Sequence, residues 1–133
     1  MATRTEQRRA AVWALYQSDL LDRPLEFSAD THRFTEELAQ AVRENQDDLD
    51  LLIRRYSKGW TLSRIAPLER SILRVALLEI TKPEAEPGDR PIPAEGAIDE
   101  AVETAKEFCG ADAPKFVNGV LAAALREMQS QPS

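Results

Sequence analysis

The sequence holds one cysteine, Cys109, and one histidine, His32. A lone cysteine closes no internal disulfide, which fits a reducing compartment and a cytoplasmic protein. One of each cannot build a zinc site without at least two further carboxylates, so no metal or other cofactor is expected. They do not read as a nucleophile–base pair either. His32 lies in a polar, acidic stretch and Cys109 at the end of an amphipathic one, where a structural thiol is the simpler reading. The five glycines (59, 88, 96, 110 and 119) are scattered and form no phosphate-cradling loop. No stretch approaches the ~18 uninterrupted apolar residues of a membrane span. The basic N-terminus lacks the apolar segment of a secretory signal. Carboxylates remain as the last catalytic resource. Asp99, Glu100, Glu103 and Glu107 share a helical face, but Ile98, Ala101, Val102 and Ala105 take the apolar side. The acids therefore face water, with Lys106 among them, and an enzyme is not expected.

What is present is an ordinary soluble composition: 133 residues, 43% hydrophobic and 30% charged, enough for one domain spanning 1–133. The net charge of −6 argues against indiscriminate nucleic-acid binding. The charge is segregated, however. Residues 26–50 and 84–112 are strongly acidic, while 51–83 are strongly basic. A folded surface of that kind offers a basic face to phosphates and an acidic one to a basic partner, unless the blocks are simply solvated helix faces. Both readings stay open on composition.

Helical spacing runs through the chain and no strand pattern stands out. Thr3 followed by Glu6 has capping-box spacing and predicts a helix from about Arg4 to Leu21, with Val12, Leu15, Tyr16 and Leu20 inward. Ser28 or Asp30 is placed to cap a second helix carrying Phe34, Leu38, Ala41 and Val42. Asn45 breaks it from a third, with Leu49, Leu52, Ile53 and Tyr56. A short turn covers Trp60, Leu62 and Ile65. Pro67 suits the first turn of the next helix, whose apolar face runs from Leu68 to Ile80. Four prolines and Gly88 make 82–93 a loop. Ile98, Ala101, Val102, Ala105 and Phe108 form a further helix with Gly110 as its C-cap. Asp112 and Pro114 open the last, with Phe116, Val117, Val120, Leu121, Ala124, Leu125 and Met128 buried. The expected fold is an all-α bundle of six to seven helices in two packed subdomains, about 1–58 and 59–129.

Two local features run against propensity, which is where function tends to sit. Asn118-Gly119 would normally mark a turn, yet helical apolar spacing flanks it. Gly119 then either permits a close helix approach or simply packs, and Asn118 offers an amide near Lys115. Arg4, Arg8 and Arg9 crowd the start of a helix, the end where the dipole disfavours positive charge. Guanidinium groups there suit phosphate oxygens, which they bond in pairs.

Read together, several segments resemble the NusB family. They are Pro67 to Ile80 (containing Leu73-Arg74 and Glu79-Ile80), Ile92-Pro93, Ala97 to Glu103, Ala105-Lys106, and Lys115-Phe116-Val117-Asn118-Gly119-Val120-Leu121. Arg8-Arg9-Ala10 and Ala14-Leu15-Tyr16 match that family's first helix, so the likeness covers essentially the whole chain. It implies a NusB-like helical bundle and a cytoplasmic, non-enzymatic transcription antitermination factor. Such a factor pairs with the small-subunit ribosomal protein NusE, reads boxA RNA as a single strand, and supports ribosomal RNA operon transcription. Other Nus factors and RNA polymerase would be reached indirectly. The resemblance further implies RNA contacts at Arg4, Arg8, Arg9, Tyr16, Asp112, Lys115, Phe116 and Asn118, and NusE contacts at Glu69, Arg74 and Glu79. Tyr16 and Phe116 are equally suited to the core. Two departures stand out: Glu6 dilutes the arginine run, and Leu78 replaces a frequent tyrosine before Glu79. Two alternatives are a NusB-like domain of an rRNA methyltransferase, which needs a following α/β region, and a helical adaptor that binds only protein. Monomer and homodimer both remain open.

Overall fold

The computed structural model describes residues 2–131. It contains six helices: α1 (Arg4–Leu21), α2 (Arg33–Glu44), α3 (Gln46–Tyr56), α4 (Pro67–Thr81), α5 (Ala94–Phe108) and α6 (Ala113–Ser130). Two 3-10 turns, Leu62–Arg64 and Pro83–Ala85, sit in the connections. No strand occurs among the described residues, and the all-α expectation holds. None of the described helices is long and apolar enough to cross a membrane.

The ends of α1 follow from local chemistry. Thr3 Oγ1 accepts the Glu6 N–H at 3.1 Å, satisfying one orphan donor of the first turn. Glu6 does not reach back to the Thr3 backbone; its carboxylate accepts from the Thr3 hydroxyl at 3.2 Å. At the other end Asp22 turns left-handed (φ 51°), and Arg23 N–H closes onto Ser18 O at 3.0 Å. A short polar side chain tolerates that backbone, and Pro24 follows directly.

Helix α2 begins later than Ser28 or Asp30 would place it. His32 stands at its N-cap without a side-chain bond. Ser28 is taken by Thr31, whose Oγ1 accepts the Ser28 N–H at 3.0 Å. Asn45 does separate α2 from α3, its amide donating to Ala41 O at 2.8 Å. Gly110 departs from the C-cap reading. Helix α5 ends on extended Cys109, and Gly110 does not adopt left-handed backbone.

Helix α4 is the axis of the molecule. Pro67 occupies its first turn, and every residue from Ser71 to Ile80 is buried. A helix covered on all sides must be enclosed by others, and α1, α2, α3, α5 and α6 all pack on it. The core pairs Leu15, Leu38, Leu49 and Ile53 with Ile72, Leu73, Leu77, Val117 and Leu121. Three residues expected inside are surface residues instead: Leu20, Phe108 and Met128. The buried stripe of α1 passes through Ala11, Val12, Leu15 and Ser18, which turns Leu20 toward solvent.

Candidate nucleic-acid and partner surfaces

The three arginines that open α1 go to three different places. Arg4 is exposed; its guanidinium lies 3.9 Å from the centre of the Phe34 ring and donates to Gln7 Oε1 at 2.8 Å. Arg9 is half-buried, paired with Glu107 and lying over the Phe108 ring at 5.7 Å. Arg8 turns inward. Its Nε donates to Glu79 Oε2 at 2.9 Å and its Nη2 to Glu86 Oε1 at 3.2 Å. With the residue 9% exposed, Arg8 is a structural cation in this conformation and not the free phosphate ligand that its sequence neighbourhood implies.

Glu79 and Arg74 are corrected in the same way. Glu79 is 3% and Arg74 4% exposed, so neither is available as a direct partner contact. Arg74 holds Asp50 with Nε at 2.8 Å and Nη2 at 3.1 Å, and Asp19 with Nη1 at 2.7 Å. These bonds let a charged residue sit on the axial helix, because a buried guanidinium without partners would be very costly. Burial pushes the Glu79 carboxyl up to about 8; its hydrogen bond with Glu86 acts the same way, while Arg8 opposes the rise. Glu86 also accepts the Ile92 N–H at 3.2 Å and so fastens the proline-rich loop to α1 and α4.

Tyr16 is half-buried and meets Trp13 edge-on, with centroids 5.6 Å apart. Trp13 in turn meets Phe108 of α5 at 5.2 Å. Trp13 and Phe108 are both exposed, so an aromatic cluster joins α1 to the end of α5 at the surface, beside Arg9.

Four residues after Phe108 comes Asp112, the N-cap of α6, whose side chain makes no capping bond. Lys115 is exposed on the first turn of α6 and Phe116 is half-buried against Trp60, with centroids 6.1 Å apart. Asn118 and Gly119 follow on the same helix, both exposed. A Cβ at Gly119 would meet nothing within 4 Å, so no neighbouring helix requires this glycine. Glu69, on the first turn of α4, opens onto the cleft between Trp60 and Phe116, where partial burial raises its carboxyl above the ordinary range. Burial and the nearby Glu69 charge likewise raise the Cys109 thiol, which disfavours a reactive thiolate.

Arg4, Arg9, Tyr16, Asp112, Lys115, Phe116 and Asn118 thus reach the surface wholly or in part, while Arg8 and Glu79 are buried in one ion-paired cluster and Arg74 in another with Asp19 and Asp50. Trp13, Phe108, Trp60 and Arg64 join the surface without having been singled out. The only signal in the sequence was scarcity, aromatics being 6% of the chain, for none of the three aromatics stands directly beside a basic residue. Among the described residues, no group of three or more His, Cys, Asp or Glu side chains is arranged to hold a metal.

The chain matches the model of the NusB family over residues 5–126. It is 39% identical to the transcription antitermination protein NusB of Desulfotalea psychrophila, an alignment covering 91% of this chain and 94% of the relative. The solved NusB structure from T. maritima superimposes with a TM-score of 0.80 at 31% identity, covering 95% of this chain and 92% of that one. The same fold recurs, at TM-score 0.75 and 21% identity, in a crystal structure of antitermination factors NusB and NusE in complex with dsRNA, with 93% of this chain and 96% of that one covered.

Proposed function

The chain belongs to the NusB family, and from that premise we propose that it is a non-enzymatic transcription antitermination factor that binds boxA-type single-stranded RNA together with NusE. In this reading it supports transcription of ribosomal RNA operons and acts on RNA polymerase through the assembled complex.

The observation that carries the reading is the succession of basic and aromatic groups at the surface. Arg9 lies on the exposed Phe108 ring beside Trp13 and Tyr16, and Arg4 is exposed with its guanidinium over the buried Phe34 ring. Asp112, Lys115 and Phe116 follow at the start of α6. Single strands expose base faces to aromatic rings, and guanidinium or ammonium groups hold their phosphates. Asn118 adds an amide one turn beyond Lys115. Arg8 serves this surface from below by fixing α1 to α4.

NusE fits the acidic side. Glu95, Asp99 and Glu103 are exposed on α5, within the most acidic part of the sequence, and give a basic ribosomal protein complementary charge. Arg74 and Glu79 act on that surface only through the packing of α4, and Glu69 lies nearer the α6 end.

The reading is tested by an electrophoretic shift of boxA RNA with purified protein, with NusE, and with both. A retarded species that needs both proteins and weakens with added salt supports it. Absence of any shift with both proteins present rejects it.

A further inference from the structure

We propose that Glu79 and Glu86 hold one proton between them beneath Arg8, and that this carboxyl pair is a proton-operated latch on the proline-rich loop. The latch is closed while the proton is present and opens when it leaves. It is a property of the fold and stands apart from RNA binding.

Three elements meet at the latch. Glu79 comes from the axial helix α4, Arg8 from α1 and Glu86 from the loop, and the two glutamate side chains are only 2% and 1% exposed. Arg8 bonds both carboxyls, at 2.9 and 3.2 Å, but its single charge neutralises only one of them. A second buried carboxylate without a cation is very unfavourable. A proton removes that charge and lets one carboxyl donate to the other. Charge and burial therefore require the proton that Glu79 retains at neutral pH.

The charged groups around the pair are engaged elsewhere. On α1, Arg4 lies over Phe34 and Arg9 pairs with Glu107. On α2, Arg33 pairs with Glu37 and Arg43 with Asp19. Asp50 of α3 is held by Arg74, and Lys82 turns to Asp48 at 3.3 Å. On α5, Glu100 accepts the Thr5 hydroxyl at 2.7 Å, and Glu127 of α6 pairs with Arg55. A cavity of about 20 Å³ lies against Glu79, lined also by Arg8, Arg9, Glu100 and Thr104. It is large enough for one water molecule to carry the proton in or out.

The loop is fastened mainly at this point. Between residues 82 and 93 Glu86 is the one buried residue, with Ala85 and Ile92 half-buried against the core. Glu86 Oε1 accepts from Arg8 and its Oε2 accepts the Ile92 N–H, so one carboxylate ties two parts of the loop to α1. Pro83, Pro87, Pro91 and Pro93 bring no backbone donors of their own. Opening releases one proton. The closed form holds two carboxyls, one guanidinium and the proton, and is neutral. In the open form Glu79 stays with Arg8 as an ion pair, Glu86 is a carboxylate in water, and the proton goes to solvent. Opening therefore becomes easier as pH rises toward about 8, where Glu79 ionises in the closed form, and is independent of pH above it.

The test is amide hydrogen exchange of the full chain, followed by NMR from pH 5 to 9 and expressed as protection relative to free peptide. The Ile92 amide should lose protection about tenfold per pH unit up to about pH 8 and then level off. Low urea should leave that exchange unchanged, because loop opening exposes little surface, whereas the Leu77 amide should respond. Glu79→Gln and Glu86→Gln each leave one carboxylate for Arg8 and should flatten the Ile92 profile. Carboxyl carbon-13 spectra should show a protonated glutamate at pH 7 that is missing from Glu79→Gln. Constant Ile92 protection from pH 5 to 9 overturns the latch, as does a slope that either variant keeps. So does the lack of a protonated glutamate at pH 7. Ile92 exchange that follows urea as Leu77 does also overturns it, for the loop then opens only with the whole molecule.

Discussion

Arg8 on α1 and Glu79 on α4, 71 residues apart in sequence, meet at 2.9 Å inside the molecule, with Glu86 as a third member at 3.2 Å. Two residues whose charges mark them as contacts for outside partners are therefore each other's partners first. The triad joins the first helix, the axial helix and the proline-rich loop at one point, and the exposed groups around it depend on that junction.

Removing the cation from this triad should be costly. Arg8→Ala leaves two carboxyls facing each other in a site of low polarity, and breaking a buried pair costs about 3–5 kcal/mol. Urea denaturation should show that loss, whereas Arg4→Ala, at an exposed site, should stay within about 0.5 kcal/mol of wild type. Equal stability of the two variants would mean that the triad holds nothing together.

The raised Glu79 carboxyl gives stability a pH dependence of definite sign. Its ordinary value is 4.5, and in the folded protein it is pushed up to about 8. Between those values the folded state holds more protons than the unfolded chain, so stability falls as pH rises and levels off above about 8. Partial burial of Glu69 acts in the same direction. Glu79→Gln keeps an uncharged partner for Arg8 and Glu86 and should flatten most of the slope. Urea midpoints measured from pH 5 to 9 check this. A midpoint that rises across that range would reverse the sign and contradict the assignment.

Gly119→Ala should raise stability. The residue is helical and a Cβ meets nothing, so the substitution removes a helix penalty of about 0.5–1 kcal/mol without a clash. Thermal melts should show the gain. If RNA affinity falls while stability rises, the bare backbone beside Asn118 is approached by the transcript.

The two faces should separate under mutation. Asp99→Lys with Glu103→Lys, both exposed on α5, should weaken NusE association without moving the unfolding midpoint. Glu79→Lys should act differently, lowering the midpoint by placing an ammonium beside Arg8. Calorimetric titration and thermal melts on the same samples distinguish them. Normal NusE affinity in the α5 double variant would move the partner face elsewhere.

Legibility of the sequence followed the range of the interactions. Thr3, Asn45, Pro67 and Pro114 act within a turn of where they stand, and the helix boundaries that they set could be read directly. Periodicity located Leu15, Leu38, Ile53, Leu73, Val117 and Leu121 in the core, because a 3.6-residue stripe is a local property. It failed at Leu20, Phe108 and Met128, which stand in the last turns of their helices and are exposed although they continue the apolar spacing. The candidate site was harder. A cluster of three arginines advertises charge but cannot say that Glu79 and Glu86 wait across the bundle for one of them. Trp60 and Phe116 meet only because the α3–α4 connection folds against the start of α6, and nothing near either residue announces the cleft.

The most direct measurement is a titration of boxA RNA with the NusE complex, comparing wild type with an Arg4→Ala, Lys115→Ala double variant at two salt concentrations. The RNA face described above predicts a loss of about tenfold in affinity at low salt and a salt dependence reduced by roughly the two phosphate contacts removed, with an unchanged unfolding midpoint. The same affinity and the same salt dependence in both proteins would contradict it.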